Sequence, residues 1–192
     1  MVRKLIYALN VSLDGFMEGP DGDLSWSDAG EELHRHFAEL DRSMDTHLYG
    51  RRLYENMAAF WPQAENDPTA ADYEREYGRV WVSVPKVVFS TTLDTVDWNS
   101  RLVKGNAAEE VRRLKAEPGG DMSVAGAGLA GSLMQEDLID EYRMYVHPVL
   151  VGGGTRMFPL LQQYIPLELI ETQRFNSGVI MLRYQRTASR VL

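Results

Sequence analysis

Hydrophobic and polar positions along the chain predict strands and helices in alternation. Residues 4–11 form an apolar run rich in strand formers and too short for a helix, and the turn pair Asp14-Gly15 follows. From residue 30, apolar positions recur at helical spacing behind Asp28, a candidate N-cap. The same patterns predict strands at 46–49, 85–90, 121–125 and 139–146, and helices at 51–60, 69–79, 107–117 and 126–135. Pro62 indicates a loop after the second helix.

The C-terminal part predicts a β-hairpin, with strands at 167–175 and 179–186 around Asn176-Ser177-Gly178. Alternating strands and helices followed by a hairpin predict an α/β fold. We expect three layers, in which a mostly parallel central sheet carries helices on both faces and ends in the antiparallel hairpin. Since the sequence contains neither a linker nor a repeat, we expect one domain over residues 1–192.

Ligands of such sheets bind beyond the carboxyl ends of the parallel strands. This rule selects four segments that follow predicted strands and predicts that they form one site. The segments are 10–20, 50–54, 90–92 and 126–131.

Composition narrows the class of protein. With 44% apolar and 25% charged residues, the 192-residue chain has the make-up of a globular protein. It contains no cysteine, which excludes disulfides and thiolate sites. The net charge of −8 argues against a general nucleic-acid binder. Neither a signal peptide nor a membrane span is visible, so we expect a cytoplasmic protein without membrane partners.

Residues 126–131 contain the pattern G-x-G-x-x-G, with Gly126, Gly128 and Gly131, between a predicted strand and a predicted helix. Such glycines let a phosphate group approach the backbone, and the free N–H groups of the helix start attract its charge. A tight packing turn is the alternative interpretation. The late position, and the lack of an acidic residue about 20 residues further on, argue against a Rossmann fold. The pattern therefore indicates a dinucleotide site in another fold.

Two polar segments could supply phosphate ligands. Arg51 and Arg52 follow Gly50 at a helix start, where cations oppose the helix dipole unless an anion lies nearby. Ser90, Thr91 and Thr92 offer hydroxyl donors after another strand. A solvated arginine pair and an ordinary polar turn are the alternatives.

Three carboxylates are candidates for catalysis. Asp14 belongs to the loop after the first strand, which either forms a simple turn or closes over a ligand. Glu31 and Glu32 share the start of the first helix with Asp28, where capping is the simpler explanation. His34 and His36 lie two residues apart and so face different sides of that helix, which argues against a metal pair. We expect no metal site.

Taken in order, these segments resemble the dihydrofolate-reductase-like superfamily. The resemblance is greatest to the reductase (C-terminal) domain of bifunctional riboflavin-biosynthesis proteins and its stand-alone bacterial relatives. It covers nearly the whole chain and is carried by LNVSLDGF (9–16), LYGRRLYENM (48–57), KVVFSTTL (86–93), SVAGAGLAGSLMQEDLIDEYRMYVHPVLVGGGTRMF (123–158) and the final hairpin. Leu53 stands where the family usually has Thr, and Ala127 replaces its commoner middle glycine.

The resemblance implies NADPH as cofactor and hydride transfer to an electrophilic carbon. It implies cofactor contacts at Ala8, Asn10, Gly50, Arg51, Arg52, Ser90, Thr91, Gly126, Ala127, Gly128 and Leu129. It implies that the substrate is bordered by Asp14, Phe16, Gly152 and Gly153.

The expected function is an NADPH-dependent reductase of a small heterocyclic substrate. The substrate is either a ribosylaminopyrimidine of riboflavin synthesis, 5-amino-6-(5-phosphoribosylamino)uracil, or a dihydropterin. The alternative from another class is a non-catalytic NADP(H)-binding module or redox sensor. Relatives in this group are often homodimers, so we expect a homodimer.

Overall fold

The computed structural model describes residues 3–27, 30–161 and 163–187. The strands are β1 Leu5–Ser12, β2 Phe16–Glu18, β3 Thr46–Gly50, β4 Lys86–Phe89, β5 Ser100–Val103, β6 Met122–Ala125, β7 Glu141–His147, β8 Thr155–Arg156, β9 Leu167–Arg174 and β10 Ile180–Arg186. The helices are α1 Gly30–Ser43, α2 Arg51–Asn66, α3 Asp72–Ser83, α4 Ala107–Ala116 and α5 Ala127–Gln135. Short 3-10 turns at Pro20–Gly22 and Ser25–Ser27 precede α1.

Eight of the strands form one sheet in the order β5-β4-β3-β6-β1-β7-β10-β9. All neighbours from β5 to β7 are parallel, whereas β10 pairs antiparallel with both β7 and β9. The short strands β2 and β8 form a separate antiparallel pair. This arrangement confirms the predicted α/β class, the mostly parallel sheet and the C-terminal hairpin.

The residues of β1 show how the layers are held, because alternate side chains enter different cores. Leu5 and Tyr7 pack in a cluster with Val111 of α4 and Leu133 of α5. Ile6 packs with Leu33 of α1 in a second cluster. A third cluster joins α2 and α3 to β3 and β4. Helices therefore cover both faces of the sheet, as predicted.

The predicted loop at Pro62 is wrong, because α2 continues through this proline to Asn66. The later turns of α2 press closely on α3: a methyl group on Gly78 would lie 2.7 Å from the Trp61 carbonyl oxygen. The Trp61 ring also packs against Tyr77, with centroids 4.3 Å apart. Contacts between the two helices thus outweigh the hydrogen bond that a proline removes from a helix.

Other elements were missed or shifted. The edge strand β5 has four residues, none of them fully buried, and follows Trp98 and Asn99, both at positive φ. Such a short, half-exposed strand carries little hydrophobic pattern. The helix predicted at 69–79 begins at Asp72 instead, because Asp67 first forms a turn with Thr69. The candidate N-cap Asp28 lies outside the described residues.

Candidate functional site at the carboxyl ends of the strands

The glycine turn between β6 and α5 has the form of an anion-binding helix start. Gly126 is the N-cap and has a φ of +93°, which favours glycine. The Ala130 N–H donates to the Gly126 carbonyl oxygen over 3.0 Å, so the amides of residues 127–129 precede the first bond of the helix. A methyl group on Gly128 would meet nothing within 4 Å. The turn is open to an approaching phosphate group.

The turn from β3 into α2 lies directly against this glycine turn. A methyl group on Gly50 would lie 3.7 Å from Leu129 Cβ, and one on Gly126 would lie 3.7 Å from Leu53. The two turns are neighbours because β3 and β6 are adjacent parallel strands. Two of the segments selected from the sequence therefore lie together.

Arg51 connects the segment that follows β3 to the segment that follows β4. Its guanidinium donates to Thr92 Oγ1 over 2.8 Å and to Glu55 Oε1 over 3.0 Å. Ser90 Oγ accepts from the amides of Thr92 and Leu93, which fixes the turn after β4. Thr92, and not the predicted Thr91, thus accepts from the arginine, and both threonines are exposed. With Arg51 half-exposed, this cluster can meet an anion from solvent.

Arg52 points to a different partner. Its guanidinium pairs with the Glu18 carboxylate at 2.9 and 3.0 Å, and Thr155 donates to the same carboxylate over 2.5 Å. Glu18 is buried, and the pair joins α2 to the β2–β8 ribbon. The two arginines that are adjacent in sequence therefore have separate contacts.

A cavity of about 450 Å³ opens beside these turns, between the sheet and helices α1, α2 and α3. Ala8 and Asn10 of β1 line it, together with the aromatic side chains of Phe37, Tyr49, Phe60, Trp61 and Tyr77. Asn10 Oδ1 is buried and has no hydrogen-bond partner among the described residues. Such an orphaned acceptor costs about 1–3 kcal/mol until a donor reaches it. The cavity therefore offers aromatic walls and an acceptor for a ligand N–H.

A polar cluster lines the end of this cavity that is nearest to the amino ends of β3 and β6. Tyr77 O–H donates to Asp41 Oδ2 over 2.7 Å. His47 contacts the Asp41 carbonyl oxygen through Nε2 at 3.3 Å and Ser123 Oγ through Nδ1 at 2.7 Å. Because a carbonyl only accepts, Nε2 carries a proton in this contact. Burial, with Asp41 nearby, raises the pKa of Tyr77 well above its ordinary value, so the phenol stays protonated.

The loop after β1 is tied to the glycine loop after β7 by Asp14. Its carboxylate accepts from Ser12 Oγ and from the amides of Val151 and Gly152 at 2.6, 3.1 and 2.7 Å. The Ser12 bond, followed by the backbone bonds, lowers the pKa of Asp14 to about 2. The ionised Asp14 carboxylate therefore holds the loop after β1 to the loop after β7.

The other predicted carboxylates lie outside the cavity. Glu31 pairs with Arg35 one helical turn away, and Glu32 accepts from the Asn176 amide. Neither lines the cavity. Phe16, Gly152 and Gly153 are also absent from its lining and instead belong to the contacts that hold the β1 loop. The structure thus brings Gly50, Arg51, Ser90 and the turn at 126–129 to one edge of the sheet, but it pairs Arg52 with Glu18. The predicted substrate and catalytic residues lie outside the lining of the cavity.

The sequence patterns did not predict the polar cluster at the amino ends of β3 and β6, which consists of Asp41, His47 and Ser123. A signal was present, because His47 and Ser123 are polar residues inside otherwise apolar strands. Buried polar side chains of this kind need partners and often mark a site.

The residues that the structure describes, 3–27, 30–161 and 163–187, contain neither a metal-binding cluster nor a membrane-spanning helix. Within these ranges, the acidic and histidine side chains form no group of three or more that could hold a metal ion. No helix there combines the length and the apolar character needed to cross a bilayer.

Comparison with known proteins gives matches over nearly the full length. The chain is 35% identical to the Bacillus subtilis protein YyaP over 183 residues, covering 95% of this chain and 94% of that protein. A solved structure from Shewanella sp. PV-4, named as a riboflavin biosynthesis protein, has a TM-score of 0.77 at 23% identity, with 96% and 99% of the two chains covered. Dihydrofolate reductase from Enterococcus faecalis, solved with NADP(H), has a TM-score of 0.65 at 14% identity and coverages of 96% and 97%.

These similarities agree with the dihydrofolate-reductase-like resemblance seen in the sequence. Residues 3–181 match the family described as the RibD C-terminal domain. Since this match spans most of the chain and a relative of 35% identity covers nearly all of it, the chain belongs to the RibD C-terminal domain family.

Proposed function

We propose that this protein is an NADPH-dependent reductase that transfers hydride to a small heterocyclic substrate. The observation that carries the proposal is the contact between the glycine turn of α5 and the arginine-bearing turn of α2, with the aromatic cavity opening beside them. A dinucleotide needs a phosphate cradle, and a reductase needs a substrate cavity next to it. The dihydrofolate reductase of similar fold was solved with NADP(H), which supports this cofactor.

The residues present fit NADPH on three counts. The free amides of residues 127–129 would hold the pyrophosphate, and open space at Gly128 leaves room for it. Arg51, Ser90 and Thr92 would hold the 2′-phosphate, because a half-exposed guanidinium beside two hydroxyls suits a phosphate dianion. Ala8 and Asn10 would border the nicotinamide, whose carboxamide N–H could satisfy Asn10 Oδ1.

The bound cofactor supplies the hydride, and the contribution of the chain is alignment and exclusion of water. The aromatic side chains of the cavity would hold a planar ring against the cofactor. Asp14 would act indirectly, since its ties to residues 151 and 152 fix the loop that follows β1. Arg52 and Glu18 would fix the β2–β8 ribbon at the mouth of the cavity.

The substrate class stays between two candidates from the sequence, a ribosylaminopyrimidine of the riboflavin type and a dihydropterin. A second candidate function, a non-catalytic NADP(H)-binding module or redox sensor, would use the same cofactor cradle without turnover. The expected homodimer, cytoplasmic location and single domain over residues 1–192 remain predictions.

The test is a binding titration of NADPH and of NADH on the wild type, Arg51→Ala and Arg112→Ala. NADPH should bind more tightly than NADH, and Arg51→Ala should weaken NADPH about 10- to 100-fold through loss of a charge-assisted contact. Arg112 of α4 is the matched control, because it is an arginine of similar exposure that pairs with another carboxylate, that of Glu136.

Equal affinity for the two nucleotides in the wild type would contradict the assignment of the 2′-phosphate to Arg51. Failure of both nucleotides to bind would contradict the cofactor and with it the reductase. Tight NADPH binding without oxidation in the presence of pterin or pyrimidine acceptors would favour the non-catalytic alternative.

A further inference from the structure

Two buried polar atoms on neighbouring strands have no hydrogen-bond partner within the described part of the chain. They are Asn10 Oδ1, near the carboxyl end of β1, and His147 Nε2, on the last residue of β7. Only 3% of the His147 surface is exposed. Buried polar groups of folded proteins nearly always have partners, so each exception calls for an explanation. The position of these two atoms on paired strands indicates one shared explanation.

Both side chains face the same side of the sheet. In the parallel pairing of β1 with β7, Asn10 stands opposite Tyr145, and Ser12 stands opposite His147. Alternate residues of a strand share a face, and Ile6 of β1 packs with Tyr145 of β7 in the cluster beneath α1. Asn10 and His147 therefore belong to this face. With an offset of two residues across adjacent strands, their Cα atoms lie about 8 Å apart.

The side chain that covers His147 is Trp26, on the short turn before α1. The two rings are 5.4 Å apart between centroids, with an angle of 87° between their planes. Ser25 and Ser27, on either side of Trp26, line the cavity, so His147 lies just behind the cavity wall. The Trp26 indole N–H donates to the Asp23 carbonyl oxygen over 3.2 Å. It therefore does not supply the partner that His147 Nε2 lacks.

The charge state of His147 limits the kind of partner that fits. Burial lowers the pKa of His147 from its ordinary value of 6.5, so the imidazole is neutral at neutral pH. A neutral imidazole offers one N–H donor and one acceptor nitrogen. Asn10 Oδ1 is also neutral and is an acceptor. A neutral donor beside a neutral acceptor matches a neutral polar group that carries both functions.

From this arrangement we infer that His147 and Asn10 together bind a planar amide group of a ligand. Asn10 Oδ1 accepts from the ligand N–H, and His147 Nε2 donates to the ligand carbonyl oxygen. The inference rests on the proposed function, because it takes the cavity as the site of a reductase. Two ligands of that function carry an amide: the nicotinamide has a carboxamide, and a pyrimidine or a pterin has a lactam edge. His147 is a binding residue that the sequence patterns did not predict.

The first measurement is the melting temperature of the ligand-free His147→Leu variant. Leucine removes the unpartnered nitrogen, so the melting temperature should stay the same or rise by up to about 4 °C. His36→Leu is the matched control, because His36 Nε2 contacts the hydroxyl of the buried Tyr145 at 2.9 Å and His36 does not line the cavity. Its melting temperature should fall, since the Tyr145 hydroxyl loses its partner.

The second measurement is binding, by calorimetric titration in two arms. NADP⁺ is added to each ligand-free protein, and 5-amino-6-(5-phosphoribosylamino)uracil or 7,8-dihydropterin is added to each NADP⁺-saturated protein. His147→Leu should weaken at least one of these ligands roughly 10-fold, through loss of one hydrogen bond. Asn10→Leu should weaken the same ligand. His147→Gln keeps an amide nitrogen close to the position of Nε2 and should bind that ligand within about threefold of the wild type.

The two arms identify the source of the amide. Weaker binding of NADP⁺ assigns it to the nicotinamide, and weaker binding of the pyrimidine or the pterin alone assigns it to the substrate. Two results would overturn the inference: unchanged affinity of His147→Leu in both arms, or a fall in its melting temperature as large as that of His36→Leu. Failure of the wild type to bind NADP⁺ would contradict the proposed function itself. A wild type that binds NADP⁺, with His147→Leu unchanged in both arms, loses the amide site alone.

Discussion

Gly154 lies so close to Glu18 that a methyl group on it would stand 2.2 Å from the Glu18 carbonyl oxygen. Its φ of +115° is in the region that favours glycine. The contact presses the glycine loop after β7 onto β2, where the Glu18 side chain meets Arg52 and Thr155. One glycine therefore positions the ion pair at the mouth of the cavity.

Gly154→Ala should destabilise the protein by about 3 kcal/mol or more, because positive φ and backbone overlap act together. Gly152→Ala is the matched control, since Gly152 has a φ of +78° but would meet nothing within 4 Å. Its cost should be about 1–2 kcal/mol, from backbone strain alone. Denaturant unfolding measures both values, and equal costs would contradict the role of the contact with Glu18.

Gly128→Ala should separate stability from cofactor binding. The added methyl group meets no atom within 4 Å in the first turn of α5, so stability should stay the same or rise by up to about 1 kcal/mol. Under the proposed function, the methyl group stands where the pyrophosphate approaches, and NADPH affinity should fall roughly tenfold.

Unfolding and NADPH titration on the same preparation measure the two effects. The control is Gly105→Ala, which adds a methyl group in open space away from the glycine turn and should leave NADPH affinity unchanged. Unchanged affinity in Gly128→Ala would show that the turn serves packing alone.

Asp14→Asn should lower stability at neutral pH and have little effect in acid. The pKa of Asp14 is lowered from 3.8 to about 2 by Ser12 and by backbone amides, so the ionised carboxylate stabilises the folded state above pH 3.8. This contribution is lost as the pH falls from about 4 to about 2, where the folded protein also takes up the proton. Melting temperatures of the two proteins should therefore differ at pH 7 and converge near pH 2. A difference that stays constant over this range would contradict the carboxylate as the source.

The layered α/β fold could be predicted because its signals are local. Apolar runs in β1, β4 and β6 and helical spacing in α1 and α4 reflect burial on the two faces of the sheet, and periodicity reports burial directly. The turn at Gly126 could also be predicted from the sequence, because a positive φ at a helix start favours glycine.

Only the tertiary structure decided where neighbouring side chains go. Arg51 and Arg52 are adjacent in sequence, yet one reaches Thr92 and the other reaches Glu18, 34 residues away. The continuation of α2 through Pro62 depends on the fit of Gly78 against the Trp61 backbone. Long-range packing determines both features, and no local pattern contains it.

The cavity and its surroundings likewise combine features that the sequence predicts with features that only the folded chain shows. From the sequence, the carboxyl ends of the strands predicted that the glycine turn and the arginine-bearing turn would be neighbours, since parallel strands place their carboxyl ends on one edge. The polar cluster of Asp41, His47 and Ser123 required the folded chain, because these residues come from one helix and two strands. Hydrogen bonds between such distant groups depend on the packing of whole elements, which the order of residues along the chain does not express.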